Sequence, residues 1–348
     1  MSTAAAVLLL ASVTLYAVFG GADFGAGLWD LVAGGDRRGT RPREVIDHSV
    51  GPVWEANHVW LIFTFVVLWT CFPTAYASIT STLFVPLAVA ALGIVFRGAG
   101  FAFRKVVVRT RYRRLFGAAF AVSSVAVPYC LGAVAGGIAS GRVPGGGGTG
   151  DLWSSWVNPT SVLGGLLAVC LAGYLAAVFL VWDSRRLSTP EMVAYFRVRA
   201  VLAAALSGLL ALGGLFVVRD DAPYLFDGLK SRALPIVLAS AVAGVGALLL
   251  LRGRPHRGGR AAAVTASGAL VLAWGTAQWD YLLPESLTVS AAAAPNGTIG
   301  AVLVAAGLAL ALIVPAYGLL YVLDQKNLLE GEGAPEQPVQ PAPDRTGS

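Results

Sequence analysis

The sequence predicts an all-α, polytopic membrane protein, and three observations carry that prediction. Hydrophobic residues make up 56% of the 348 residues and charged residues only 13%, with a mean hydropathy of +0.71; a soluble domain carries about 25% charged residues. The apolar residues form long unbroken runs, each near the ~20 residues that cross a bilayer as a helix. The basic residues cluster in alternate loops between those runs.

Nine runs have the length and composition of membrane-spanning helices. They are 5–32, 53–72, 77–97, 115–138, 161–182, 200–218, 233–251, 262–282 and 298–323. Pro73 leaves only a very short turn between the second and third runs. We expect four segments: a first helix bundle over 1–140, a Gly-rich extracytoplasmic loop over 141–160 that is flexible by composition, a second bundle over 161–326, and a disordered cytoplasmic tail over 327–348.

The distribution of lysine and arginine predicts the orientation. Of the 25 basic residues, 21 fall on one side of the predicted membrane, and the exceptions are Arg142, Arg219, Lys230 and Arg232. Because basic residues are enriched in cytoplasmic loops, the N-terminus is expected outside and the C-terminus in the cytoplasm. The net charge of +6 then follows from membrane topology, and no nucleic-acid partner is expected. The first run lacks a preceding basic segment, so we expect it to stay in place as a helix.

Ionisable residues inside the apolar runs define the candidate site, because a charge within a bilayer is costly and usually functional. Asp23 lies in the first run, and Glu55, Asn57 and His58 lie at the start of the second. The predicted topology brings all four near the cytoplasmic ends of their helices. Carboxylates and histidines relay protons in membranes, so we predict a proton-conducting or charge-compensating cluster.

Other polar residues are weaker candidates. Asp30 follows Asp23 by two helical turns, and Arg97 and Arg104 lie at the inner end of the third helix; we expect all three to supply supporting charge. For Asp30 and Arg104, as for Asp23 and Glu55, an ion pair that only locks helices together is the alternative. Gln278 is expected to anchor its helix at the membrane interface, with cavity lining as the alternative.

Few residues are available to bind a redox cofactor. Haem iron is commonly held by His, Met or Cys, and the three histidines and two methionines do not fall on facing apolar helices. The three cysteines show no close spacing, and no metal-binding or nucleotide-binding motif is present. We therefore predict that this chain holds no redox cofactor of its own.

Several short motifs together resemble a known family. The motifs are GGADFGAG (20–27), PVWEANHVWL (52–61), FPTAYA (72–77), FRGAGFAFR (96–104), WGTAQWDYLLPESLTV (274–289) and AAAAP (291–295). In combination they resemble subunit II of cytochrome bd-type quinol oxidases, including the cyanide-insensitive branch. The resemblance covers the first three helices and the last two, whereas the helices between them match in hydropathy and loop charge.

The resemblance implies a place in a respiratory complex of the bacterial plasma membrane. Such a complex oxidises membrane quinol and reduces dioxygen to water, taking protons from the cytoplasm. The haem b and haem d-type centres belong to subunit I, and subunit II is a haem-free partner of two four-helix bundles plus a peripheral helix. Some members include small single-helix accessory subunits, and some hold a structural quinone in subunit II.

The resemblance also assigns roles to individual positions. Asp23 matches the intramembrane aspartate of the family's first helix, and Glu55 matches an acidic position of the second-helix motif. Both are candidates for a proton path toward the partner's haem d. Asn57 and Arg97 match positions expected to order that path, and Trp60 matches a tryptophan that borders an oxygen-access route in some members.

This chain departs from the family pattern at one position. Some relatives carry an acid two residues before the second arginine, where this chain has Ala102, so any role of that acid is absent here or is taken by another residue.

Two other interpretations stay open at this point. A proton-coupled secondary transporter is the alternative function, although no paired broken helices suggest inverted repeats. A purely structural subunit differs from the oxidase prediction only in whether Asp23 and Glu55 titrate.

Overall fold

The computed structural model describes residues 1–50, 54–107, 110–252 and 258–325, which are almost entirely helical. This confirms the predicted all-α class. In chain order the elements are α1 Ser2–Leu31, α2 Asp36–Val50, α3 Trp54–Cys71, α4 Pro73–Thr82, α5 Phe84–Val106, α6 Thr110–Ala139, α7 Pro159–Arg186, α8 Pro190–Asp221, α9 Pro223–Lys230, α10 Leu234–Arg252, α11 Gly258–Ala277, β1 Tyr281–Leu283, β2 Leu287–Thr288, α12 Val289–Ala292 and α13 Asn296–Gln325.

Several of these helices are long and apolar enough to cross a membrane. Within the described ranges there are 7 such helices, or up to 8 if the bent pair α3 and α4 forms one span. The helix α11 lies where the eighth span is predicted but is not among them. The molecule is thus a multi-pass membrane protein, whereas the count of nine spans and the orientation stay predictions.

The chain bends sharply where the sequence shows Pro73. α3 ends at Cys71, and α4 begins at Pro73 at an angle of 120°. Proline lacks the amide hydrogen that would continue α3, but its fixed φ suits the first turn of a new helix. The predicted third span, 77–97, therefore starts within α4, and the straight helix α5 begins later, at Phe84.

A helix that the sequence analysis had treated as a loop follows α1. α2 is amphipathic, with Val45 and Ile46 buried against α5, α6, α7 and α8. Its polar face is held by two ion pairs, Arg43 with Asp30 of α1 and Arg41 with Glu191 of α8. Two adjacent buried apolar residues among charges leave too weak a pattern to detect without the structure.

Close packing between α1 and α7 depends on glycine. A Cβ atom on Gly25 would collide with the backbone carbonyl of Ala172, whereas one on Gly21 would make an ordinary contact, at 3.6 Å from Leu175. Small residues let transmembrane helices approach closely enough for extensive van der Waals contact. α1 is therefore fixed against α7 along the face that carries these glycines.

The loop between α6 and α7 is ordered, although its glycine-rich composition predicts a flexible linker. Arg142 donates two hydrogen bonds to the carboxylate of Asp221, at 2.5 and 3.1 Å. The amide of Gly150 donates to Thr82 of α4 at 2.9 Å. The composition did not indicate these contacts because each depends on a partner far away in the sequence.

A small hairpin follows α11. The predicted eighth span extends to residue 282, but α11 ends at Ala277 and β1 pairs with β2 in antiparallel fashion. Residues 1–299 form one compact unit. The second unit begins at Gly300 and, within the described residues, consists of the remainder of α13. The predicted division into two helix bundles stays a prediction.

Candidate functional site

The centre of the candidate site is a buried ion pair between α1 and α5. Nη2 of Arg97 lies 2.9 Å from Oδ1 of Asp23, and both side chains are almost completely enclosed, with 1% and 3% exposed. The same nitrogen donates to the backbone carbonyl of Asp23 at 3.1 Å. Among the described residues, the second carboxylate oxygen, Oδ2, has no hydrogen-bond partner.

The guanidinium of Arg97 has further contacts besides the carboxylate. Nε donates to Oγ of Ser124 at 3.1 Å, and Ser124 in turn donates to the carbonyl of Phe120 at 2.7 Å. The guanidinium carbon lies 4.8 Å from the ring centre of Phe24 and 5.0 Å from that of Phe120. α1 and α6 thus each contribute contacts to a buried cation that α5 carries.

His58 lies near this pair, and Asn57 contacts α1. The His58 ring is 6.0 Å from the ring of Phe24 and 6.2 Å from that of Tyr16. It is close enough to Asp23 and Arg97 to interact electrostatically with both. Asn57 donates from Nδ2 to the carbonyl of Phe19 at 3.3 Å, which ties the first turns of α3 to α1.

One of the other predicted charges has a described partner on α2. Asp30 pairs with Arg43, with Nε 2.7 Å from Oδ1, and lies about 10 Å along α1 from Asp23. The place of Asp30 in one convergent set of charges stays a prediction. The side chains of Glu55 and Arg104 lie outside the described residues.

Trp60 packs against a small apolar cluster near the ion pair. The cluster contains Tyr16, Phe24, Ala90, Val127 and Cys130. The Trp60 ring also contacts the Phe63 ring edge to face, with ring centres 6.4 Å apart. Trp60 therefore packs on the same apolar cluster as Phe24, whose ring contacts Arg97.

An apolar cavity of about 210 Å³ lies between α1, α3, α5, α6, α11 and the hairpin, and its lining includes neither Asp23 nor Arg97. Three buried polar atoms of its lining have no protein partner in the described part of the chain: the hydroxyl of Tyr16, Nε1 of Trp274 and Oε1 of Gln278. Buried polar groups normally find a hydrogen-bond partner. Gln278 therefore lines the cavity, which was the alternative to an anchor at the membrane interface.

Sequence reasoning found the charged residues of this site but missed the neutral ones. Ser124, Phe120 and Tyr16 lie within apolar runs, where a hydroxyl or a ring carries no signal of its own. Arg43 was counted only as a loop charge. No three His, Cys, Asp or Glu side chains lie together as a metal site within the ranges that the structure covers.

The fold and the site define a class of protein: a multi-pass helical membrane protein that contains an enclosed carboxylate–guanidinium pair and an apolar cavity. The chain matches the profile of "Cytochrome bd terminal oxidase subunit II" over residues 1–324. It therefore belongs to the cytochrome bd terminal oxidase subunit II family.

Individual relatives agree with this assignment over part of their length. Cytochrome bd-I ubiquinol oxidase subunit 2 of Escherichia coli (strain K12) is 30% identical over 135 residues, 38% of this chain and 35% of the relative. Cytochrome bd ubiquinol oxidase subunit 2 of Bacillus subtilis (strain 168) is 30% identical over 112 residues, 32% of each chain. The matched part of this chain thus spans 35% and 32% of the two curated relatives.

A solved structure shows the same fold. The bd oxidase from Geobacillus thermodenitrificans matches with a TM-score of 0.74 at 24% identity. The match covers 94% of this chain and 99% of that chain. At this level of identity the likeness establishes the fold.

Proposed function

We propose that this chain is the haem-free subunit of a cytochrome bd-type oxidase that oxidises quinol and reduces dioxygen to water. In this proposal it stabilises a haem-bearing subunit I, which holds the haem b and haem d-type centres, in the bacterial plasma membrane. Family membership over residues 1–324 is the observation that carries the proposal. Small single-helix subunits are expected as further partners, and quinol is the substrate of the complex.

The second part of the proposal is that Asp23 helps to conduct cytoplasmic protons to the partner's active site. The support is the asymmetry of its carboxylate, in which Oδ1 binds Arg97 while Oδ2 has no described partner. Oδ2 can therefore accept a proton without displacing Arg97. Glu55, one helical turn before His58, is the proposed preceding group on α3.

A route for dioxygen past Trp60 is proposed on the same family resemblance. The ring of Trp60 lies against the apolar cluster that also contains Phe24 and Val127. Dioxygen is small and apolar, so a passage for it needs apolar walls rather than hydrogen-bonding groups. Trp60→Ala tests the role, because a wider passage is expected to change the apparent affinity of the complex for oxygen.

Purification of the complex in mild detergent tests the assignment. A tagged wild-type chain is expected to bring down a larger haem-bearing subunit with oxygen-consuming quinol oxidase activity. Asp23→Asn is expected to keep the haem content and lower turnover about tenfold or more, since it removes a proton-transfer group. Asp30→Asn is the matched control on the same helix and is expected to retain turnover.

The outcomes separate the alternatives. A colourless protein that purifies alone and transports a solute would favour the secondary transporter and exclude the oxidase. Wild-type turnover in both Asp23→Asn and Glu55→Gln, with the complex intact, would leave only a structural role for this chain.

The cavity supports a separate proposal, that a structural quinone binds in this chain. A quinone is an apolar ring with oxygen atoms on opposite sides. The hydroxyl of Tyr16 and the indole nitrogen of Trp274 can donate to such oxygens, and Oε1 of Gln278 can accept from a quinol hydroxyl. A bound quinone would fill apolar volume and satisfy buried polar atoms; the proposal assigns it no step in turnover.

Quinone content of the purified complex tests this second proposal. Tyr16→Phe removes one hydroxyl and Gln278→Leu removes one amide group, both at nearly constant side-chain size, so quinone extracted per complex is expected to fall. Tyr129→Phe is the control, because it is the same change outside the cavity lining. Equal quinone content in all the variants, or its absence from wild type, would contradict the proposal.

A further inference from the structure

The buried ion pair raises a physical question about the cation. If Asp23 takes up a proton, Arg97 remains charged in a site where its side chain is only 1% exposed. A buried charge that loses its partner is strongly destabilising. Arg97 therefore needs contacts that persist when the carboxylate is neutral.

The structure contains such contacts. Of the three described hydrogen bonds from Arg97, one goes to the carboxylate, and the others go to the carbonyl of Asp23 and to Ser124. Neither of these acceptors changes charge with pH. The rings of Phe24 and Phe120 add two cation–π contacts that also do not depend on the carboxylate.

The orientation of the Ser124 hydroxyl is set by its own helix. Its single hydrogen is donated to the carbonyl of Phe120 at 2.7 Å, so its lone pairs are left to accept from Nε of Arg97. α1 fixes the position of the side chain from the other side, because a Cβ atom on Gly27 would collide with Oγ and Cβ of Ser124. The hydroxyl therefore has little room to turn away from Arg97.

We propose that Ser124 is a positioning residue, which holds the Arg97 guanidinium in one place whether Asp23 is charged or neutral, with Gly27 providing the space that this requires. The inference deepens the proposed proton path and depends on it. Arg97 then acts as a fixed positive charge beside a carboxylate that changes its protonation state, and the packing need not rearrange in each cycle.

The experiment compares single variants within the complete oxidase complex. Ser124→Ala removes the acceptor, and Gly27→Ala displaces it without removing it. Both are expected to raise the pH of half-maximal oxygen consumption by about one unit, because a guanidinium that is no longer held beside Asp23 stabilises the charged carboxylate less. Ser123→Ala, the same change one residue earlier on α6, is expected to keep the wild-type pH profile.

Each outcome decides the inference. An unshifted profile in Ser124→Ala, or a loss of turnover that is uniform across pH, would overturn the positioning role and leave only a packing role. If Ser124→Ala does not assemble, Ser124→Cys keeps an acceptor, slightly larger and weaker than the hydroxyl, and gives the same comparison. Wild-type turnover in Asp23→Asn would instead defeat the proton path itself, so the two failures can be told apart.

Discussion

Asp23 and Arg97 show how a membrane protein can keep two charges away from lipid and water. Removing two charges from water costs several kcal/mol per ion, and their attraction repays this only with good geometry and further hydrogen bonds. Here Arg97 has both, because it bonds to the carboxylate, to a carbonyl and to a hydroxyl. The pair is therefore stable enough to be retained at the centre of three packed helices.

Loss of Arg97 is expected to destabilise the complex more than loss of an exposed basic residue. Arg97→Met leaves the carboxylate of Asp23 buried without its cation, which costs about 3–5 kcal/mol. The control is Lys230→Met, because the Lys230–Asp227 pair is well exposed and such pairs contribute about 0–1 kcal/mol. Thermal unfolding of the purified complex in detergent measures both, and equal midpoints would contradict the expectation.

Among individual residues, the charged ones of the site could be predicted from the sequence. An aspartate or an arginine stands out in an apolar run, so Asp23 and Arg97 could be predicted to lie close together. Ser124 could not be predicted, because a serine in a membrane helix usually bonds only to its own backbone. The pairing of Arg43 with Asp30 could not be predicted either, because Arg43 lies on a helix that the sequence pattern did not indicate.

The helices themselves follow from long apolar runs, and the exceptions are short elements. α2, α4 and the hairpin each have fewer than the ~20 apolar residues that define a span. Their positions depend on distant partners, such as the contact of α2 with α7 and α8. The order of the long helices was therefore predictable, whereas the bend at Pro73 and the ordered loop after α6 needed the structure.

The contact between α1 and α7 gives a prediction about an element. Gly25→Ala places a methyl group against the carbonyl of Ala172, and such overpacking costs about 1–3 kcal/mol. Gly21→Ala, one turn away on the same helix, meets only Leu175 at an ordinary distance and is expected to be neutral or slightly stabilising. The measurement is the yield of assembled complex and its unfolding midpoint. Similar midpoints for the two variants would show that α1 is free to shift.

For the whole molecule, the distribution of basic residues predicts the orientation in the membrane. With 21 of 25 basic residues on one side, the N-terminus is expected outside and the C-terminus in the cytoplasm. A fluorescent protein that folds only in the cytoplasm should fluoresce when fused to the C-terminus, and alkaline phosphatase should be inactive there. The reverse pattern would require either an even number of spans or an N-terminus that lies in the cytoplasm.

The lengths of α7 and α8 have a consequence for the surface at which they meet. With 28 and 32 residues, they are about 42 and 48 Å long, against a hydrocarbon layer of about 30 Å. Each helix therefore exceeds the hydrocarbon layer and is expected to tilt or to extend into the headgroup region. Glu191 lies two residues beyond the 187–189 junction and pairs with Arg41, so α2 contacts this end of the two helices.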